Sequence, residues 1–360
     1  MRRMHQVLMG MVTLATAWLQ PATLNPVHPP VNTPSGFTQS IQTQRMEPSI
    51  LQFDFASDFS EGLAVVKQDD RFLYIDRTGK EAIAVDPNLD GVSPFSDEMA
   101  LARVNDFYGY IDRTGAVVVP PQFASASPFS EGLAAIRPGN RYGYINKAGE
   151  IVIEPQFILA SAFSDGLASA KVDNRYGYIN SSGKWVIQPQ FEDAWSFSDE
   201  RAAVKVNAKW GYLAPTGDLA IAPQFDGAFS FSNGLGRIRQ GSQWGYVDAS
   251  GKLAIAPQFD FASDFSDGLA AVLVGSQWGY VNTTGAIAIE PKYEFAADFS
   301  EGLAAVKLDG KFGYINKTGE IVIAPQFSNV GSFSEGLAWV QIDNHWRYID
   351  KSGHFLEKEN

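Results

Sequence analysis

From Gln52 onward, apolar residues come in runs of five to seven separated by short polar turns, and the arrangement repeats with a fixed period. One period reads Gly302-Leu-Ala-Ala-Val-Lys-Leu308, Asp309-Gly310, Lys311-Phe-Gly-Tyr-Ile-Asn316, Lys317-Thr318-Gly319, Glu320-Ile-Val-Ile-Ala324 and Pro325-Gln326-Phe327. Runs this short, bounded by Gly and Asx residues, predict a three-stranded antiparallel meander rather than helices. The first turn carries Asp, Asn or Gly in every period, which suits the positive φ of a two-residue hairpin. The second places Gly three residues after an Asx in eight of the nine periods, as in Asp112 and Gly115, with Ala214 the exception. An Asx side chain capping a turn, with Gly in the left-handed position, accounts for that pairing.

A Phe-Ser pair marks the register at Phe59, Phe95, Phe129, Phe163, Phe197, Phe231, Phe265, Phe299 and Phe333, spaced 36 residues once and 34 thereafter. The middle strand reads aromatic-Gly-Tyr. Residues i and i+2 share a strand face, so the two rings are expected side by side, with the Gly turned toward something that approaches its backbone. A unit of about 34 residues is too small to bury a core alone and must stack on its neighbours. The strand Gly runs from Gly109 to Gly313 in the interior copies and is replaced by Leu73 and Arg347 in the first and last. Atypical ends are what an open or superhelical stack needs, because its outer faces meet water. The expected fold is therefore an all-β open array of nine repeats, with a closed propeller-like ring as the alternative.

The Trp-Gly-Tyr strand, the Asx-x-x-Gly turn, and the Pro-Gln-Phe and Phe-Ser-Glu-Gly-Leu segments resemble the bacterial WG (KWG) β-repeat family. Lys209-Trp210-Gly211 carries the full three-letter motif, and Trp244 and Trp278 also precede Gly, whereas Trp346 precedes Arg347. The resemblance covers residues 52–358. It implies a β-rich array with no shared catalytic residues.

Ahead of the array, Arg2, Arg3 and His5 precede the apolar run Val7–Leu14 and the small residues Ala15-Thr16-Ala17. That order reads as a secretory signal over residues 1–17, since Val7 to Leu19 is too short for the ~20 residues of a membrane span. Residues 18–51, rich in Pro, Thr, Gln and Ser, read as a disordered linker. The nine repeats fill 52–360. The chain is thus expected to be exported to the periplasm, cell envelope or exterior.

Charge and chemistry narrow the partners. The net charge of −12 and the absence of a basic stripe argue against nucleic acid. The chain has no cysteine, so thiolate metal sites and cysteine nucleophiles are excluded. Of four histidines only His345 and His354 fall in the array, nine positions apart, which matches no zinc spacing. No phosphate-loop, dinucleotide or nucleophile-elbow motif occurs, so no cofactor is expected. A carboxylate follows Phe-Ser in every copy except at Asn233 (Glu61, Asp97, Glu131, Asp165, Asp199, Asp267, Glu301 and Glu335). One carboxylate per unit suits a turn device better than a calcium ladder.

Subtracting the template leaves Trp195 and Phe229. Both stand two places before the Phe of Phe-Ser, where other copies have Ser57, Ser93, Ser127, Ser161, Ser263, Ala297 or Gly331. One repeat apart, the two rings are candidates for a neighbouring pair that stacks on a glycan or a partner's ring, against the plainer reading of local packing. Trp185 reads as core, and Trp339, in place of a small residue, as a cap on the final sheet. The functional expectation is a non-catalytic exported scaffold that binds a protein or an envelope glycan. A hydrolase with a site spread over repeats, or a purely structural envelope component, are the alternatives.

Overall fold

The computed structural model describes residues 50–358, so the expected signal and nearly all of the linker lie outside the described residues. The array forms nine sheets, eight of four strands and one of three, each strand beside the next in chain order. Blade eight is typical: Phe295–Ala296, Leu303–Leu308, Lys311–Asn316 and Ile321–Phe327. The three expected strands are thus the second, third and fourth. The first, two residues in most blades, is too short to leave a periodic trace. Its position is still fixed, since Phe295 pairs with Lys307 and Ala296 with Val306.

What holds one blade to the next explains the repeated letters. In all nine copies the Phe-Ser hydroxyl donates to the Phe carbonyl of the following blade, from Ser60 to Phe95 (2.8 Å) round to Ser334 and Phe59 (2.8 Å). The strand Tyr does likewise: Tyr74 donates to the Ser93 carbonyl, and so on to Tyr348 and Ser57 (both 2.7 Å). These tyrosines are fully buried. Each ring meets the next blade's Phe, as Tyr246 meets Phe265 at 4.7 Å. The two rings of aromatic-Gly-Tyr therefore do not pair with each other as expected; the Tyr engages the following blade in all nine copies. The Gly between them does face a close backbone. A Cβ on Gly279 would lie 2.6 Å from the Ile289 oxygen and 2.7 Å from the Pro291 nitrogen, where the third strand bulges against the fourth.

The turns follow their chemistry. Asp112 Oδ1 accepts from the Thr114 amide (2.8 Å), the Thr114 hydroxyl (2.6 Å) and the Ala116 amide (3.1 Å), with Gly115 at φ 84°. The Thr114 hydroxyl bond outweighs a small burial effect and holds Asp112 below the usual carboxylate range.

The open stack is overturned: the ring closes. The ninth sheet has three strands of its own, Asn329–Val330, Leu337–Ile342 and His345–Asp350. Its fourth comes from both ends of the chain. Phe355 bridges Ile349 at one end of this outer edge, and Phe53 bridges Trp346 at the other. Phe53 and Trp346 exchange two backbone hydrogen bonds of 2.9 Å, and Leu51 donates to Leu356 at 3.2 Å. Ile50 and Leu51, placed in the linker by sequence, are therefore part of the ninth blade. The last repeat, whose ending is weak, is completed by the segment ahead of the first, and the first repeat builds a full four-stranded blade of its own, so neither is a cap. Trp339 is likewise no cap: it lies 4.6 Å from Trp346 in the seam joining blades nine and one. The molecule is a nine-bladed propeller in which the short first strands crowd the inner edge and the fourth strands form the outer rim. Seven of the nine rim strands carry a Pro, as in Pro155 and Pro325, which removes an amide and blunts strand addition at an open edge.

An aromatic and arginine cluster on the inner edge

The carboxylates after Phe-Ser prove to be latches between blades. Each sits in the left-handed region, Glu61 and Asp97 at φ 53°, and its side chain accepts from a turn amide of the next blade. Gly132 donates to Asp97 (2.7 Å), Gly302 to Asp267 (2.7 Å), and Gly62 to Glu335 (2.9 Å) across the closure. Eight of the nine seams have such a bond. Among the described residues no cluster of three or more acidic or histidine side chains could hold a metal ion. The exception is the seam between blades six and seven, where Asn233 Nδ2 reaches the Phe265 carbonyl instead (3.2 Å).

That seam has different chemistry. Arg237 stands on the second strand of blade six, Leu235–Gln240, where the other blades have Val65, Leu101, Ala135, Ser169, Ala203, Ala271, Ala305 and Trp339. Its Nε donates to Asp264 of blade seven at 2.8 Å, and its Nη1 to the Ala262 carbonyl at 2.7 Å. The guanidinium also lies over the rings of Phe229 (4.4 Å), Trp244 (5.1 Å) and Phe261 (5.8 Å). Burial pushes the Asp264 carboxyl up. Arg237 opposes that shift, and the neighbouring Asp298 adds to it.

Trp195 and Phe229 are brought together as neighbours on adjacent blades, ring centroids 5.8 Å apart at 45°. Phe229 continues to Trp244 at 5.2 Å, and Trp244 to Phe261 at 5.1 Å. Phe229 lies where the first strand of blade six, Gly227–Ser232, shifts register against its partner; such a bulge re-aims a side chain. Gly236 leaves room there, since a Cβ would collide with the Phe231 ring. The stack continues from Phe261 to Trp278 (5.6 Å) and on to Phe295 (6.2 Å), itself 40% exposed, and its rings differ in exposure. Trp244 is sealed at 6% exposure, whereas Trp195 stands 44% exposed. Trp185, by contrast, packs edge-on to Phe157 at 5.6 Å and is only partly buried.

Sequence reasoning missed Arg237 and Asp264. The signal was present, because the subtraction that isolates Trp195 and Phe229 also isolates a lone Arg in a column of small or apolar residues. Asp264 carried none, as Asp58 and Asp298 fill the same position in other copies.

Comparison with known proteins supports the architecture. The fold is similar to "Crystal structure of the eukaryotic initiation factor", at 11% identity and TM-score 0.58, over 86% of this chain and 95% of that one. A weaker likeness is to the WD40 domain of SCAP from fission yeast, at 8% identity and TM-score 0.41, over 85% of this chain and 96% of that one. No curated protein matches the sequence. The WG containing repeat model matches nine consecutive segments, 51–72, 74–106, 108–142, 142–176, 176–210, 210–244, 244–277, 278–312 and 312–346. With its array tiled end to end by that repeat, the chain belongs to the WG repeat family.

Proposed function

We propose that this is an exported, non-catalytic binding scaffold that engages a protein or envelope polymer through the inner edge of blades five to seven. One observation carries the reading: the departures from the repeat converge. Phe229, Asn233, Gly236 and Arg237 all belong to blade six, Arg237 lies over the Phe229 ring, and Phe229 backs the exposed ring of Trp195. A ring held by its neighbours binds without a further ordering cost, and Trp is the residue most often found at the energetic centre of an interface. Export rests on the charged-apolar-small order of residues 1–17.

The test is capture from cell-envelope extract by the full array and by Trp195→Ala/Phe229→Ala. A partner retained by the parent and lost in the double variant supports the reading. Equal capture by both removes Trp195 from the binding face.

A further inference from the structure

We infer a second binding site, independent of Trp195, at the seam of blades three and four. There an acidic segment of a partner protein docks beside Ile158, its carboxylate held by Arg137, Arg141 and Lys171. The residue just before the first strand of each blade makes the case. It is acidic in six blades: Asp54, Asp90, Glu192, Asp226, Asp260 and Glu294. In five of these the carboxylate accepts from an amide in the same blade's hairpin between second and third strands, as Asp226 does from Gly241 at 2.7 Å. Asp226 also pairs with Lys209 of the preceding blade at 2.6 Å, and Arg239 of its own blade donates to its carbonyl at 3.1 Å.

Blade four keeps the basic residues that go with this acid but not the acid itself. Two repeats earlier, the positions of Asp226, Lys209 and Arg239 are filled by Ile158, Arg141 and Lys171, and that of Lys205 by Arg137. The backbone is bonded alike at both places: the Ile158 amide donates to the Lys171 carbonyl at 2.8 Å, and the Asp226 amide to the Arg239 carbonyl at 2.9 Å. Arg137 lies over the Tyr142 ring at 5.5 Å, and Tyr142 packs against the core shared with blade four. The Arg137 Nε is buried and meets no acceptor among the described residues. Neither Arg137, Arg141 nor Lys171 forms an ion pair with a described residue. Of the acids nearby in the repeat, Asp193 accepts from the Ala194 amide at 3.0 Å and Asp173 lies exposed on the hairpin. A carboxylate brought by a partner supplies what the other blades supply themselves, and arginine binds that group in a fixed two-pronged geometry.

The neighbouring surface selects the kind of partner. Ile158 and Leu159 are 36% and 43% exposed, so aliphatic side chains border the three cations. A peptide that alternates acidic and apolar residues matches both features, whereas a uronate polymer matches the charge alone. The net charge of −12 opposes long-range attraction of an acidic partner, so recognition is short-range and weakens with salt.

The probe is a fluorescein-labelled, capped hexapeptide alternating Leu and Asp, followed by anisotropy with the full chain; its Leu/Asn counterpart and hexagalacturonate are competitors. The Leu/Asp peptide is expected to bind saturably, and the Leu/Asn peptide not to displace it. Ile158→Asp restores the acid of the other blades and should weaken binding about tenfold or more, whereas Ile158→Asn should weaken it only about threefold. Arg137→Gln and Lys171→Gln should each cost about tenfold, the scale of one hydrogen bond to a charged group. Unfolding midpoints matching the parent's show that the variants are folded. Absence of binding overturns the inference, as does binding undiminished in Ile158→Asp and Arg137→Gln. Displacement by the Leu/Asn peptide removes the carboxylate, and tighter binding of hexagalacturonate than of the peptide replaces the protein partner with an acidic polysaccharide.

Discussion

A chain shortened to begin at Asp54 is expected to lose about 6–8 kcal/mol of unfolding free energy, though it retains every residue of the eight self-contained blades. Removing Ile50–Phe53 takes away a ring buried to 3% exposure and three backbone hydrogen bonds to Trp346 and Leu356. Deleting a buried Phe costs about 3–5 kcal/mol, and each hydrogen bond about 1 more. The loss should also spread. Phe53 packs with Phe59, Val66, Ile75 and Tyr348 in the core between blades nine and one. Amide exchange should therefore accelerate on both sides of the seam, at Leu63–Gln68 and at Leu337–Ile342. In an open stack the same truncation would fray only its own end. Denaturant titration and hydrogen exchange separate the two outcomes.

The second large effect belongs to Arg237. Arg237→Met keeps most of the side-chain stem but leaves Asp264 without its counter-charge. Stranding a buried charge costs about 3–5 kcal/mol. Asp264 is 37% exposed at its side chain, so solvent screening reduces the expected loss to about 2 kcal/mol. The loss should depend on pH. Burial already raises the Asp264 pKa in the folded state, and Arg237 restrains that rise. A carboxyl whose folded pKa is raised favours the fold while protonated, and that contribution is lost as pH climbs through the raised value. Without Arg237 the rise is larger, so the variant's deficit should be small near about pH 4 and full at about pH 7. In an Asp264→Asn background the deficit should be smaller and nearly independent of pH. A deficit equal at both pH values would show that Arg237 acts through packing on its three rings alone. The carboxylates of the Asx turns behave oppositely. Asp112 and Asp248, held low chiefly by the Thr114 and Ser250 hydroxyls, favour the fold above the ordinary carboxylate range and lose that contribution as pH falls. Comparing variant with parent at each pH cancels them.

Much of this architecture can be read from the letters, because many letters that recur from repeat to repeat have a local job. Gly115 marks a positive φ, Asp112 caps a turn, and Gly279 admits the fourth strand. What was illegible is what happens between units. The Phe-Ser hydroxyl and the strand Tyr recur in nine copies because they bond the next blade, and a period alone does not say that the ninth bonds the first. One clue did exist. The last repeat lacks its Pro-Gln-Phe, while the first is preceded by an unattached Gln52-Phe53. Joined, they make the missing half-strand. Read as caps, the same departures pointed to an open stack. The site divides along similar lines: two odd aromatics at one template position were visible, and the structure makes them neighbours. The arginine that fixes them was hidden in a strand whose composition otherwise looks like core.

The closed ring is tested most directly by joining its ends. The chain has no cysteine, so Ile50→Cys/Glu357→Cys introduces the only two thiols. Ile50 and Glu357 are antiparallel bridge partners. Such partners lie about 4.5–5.5 Å apart at Cα, within the range a disulfide spans. Under mild oxidation at low protein concentration, the propeller predicts near-complete intramolecular disulfide, read as faster migration of the unreduced monomer and loss of free thiol. Free thiols, or dimers alone, would show that the two ends do not meet.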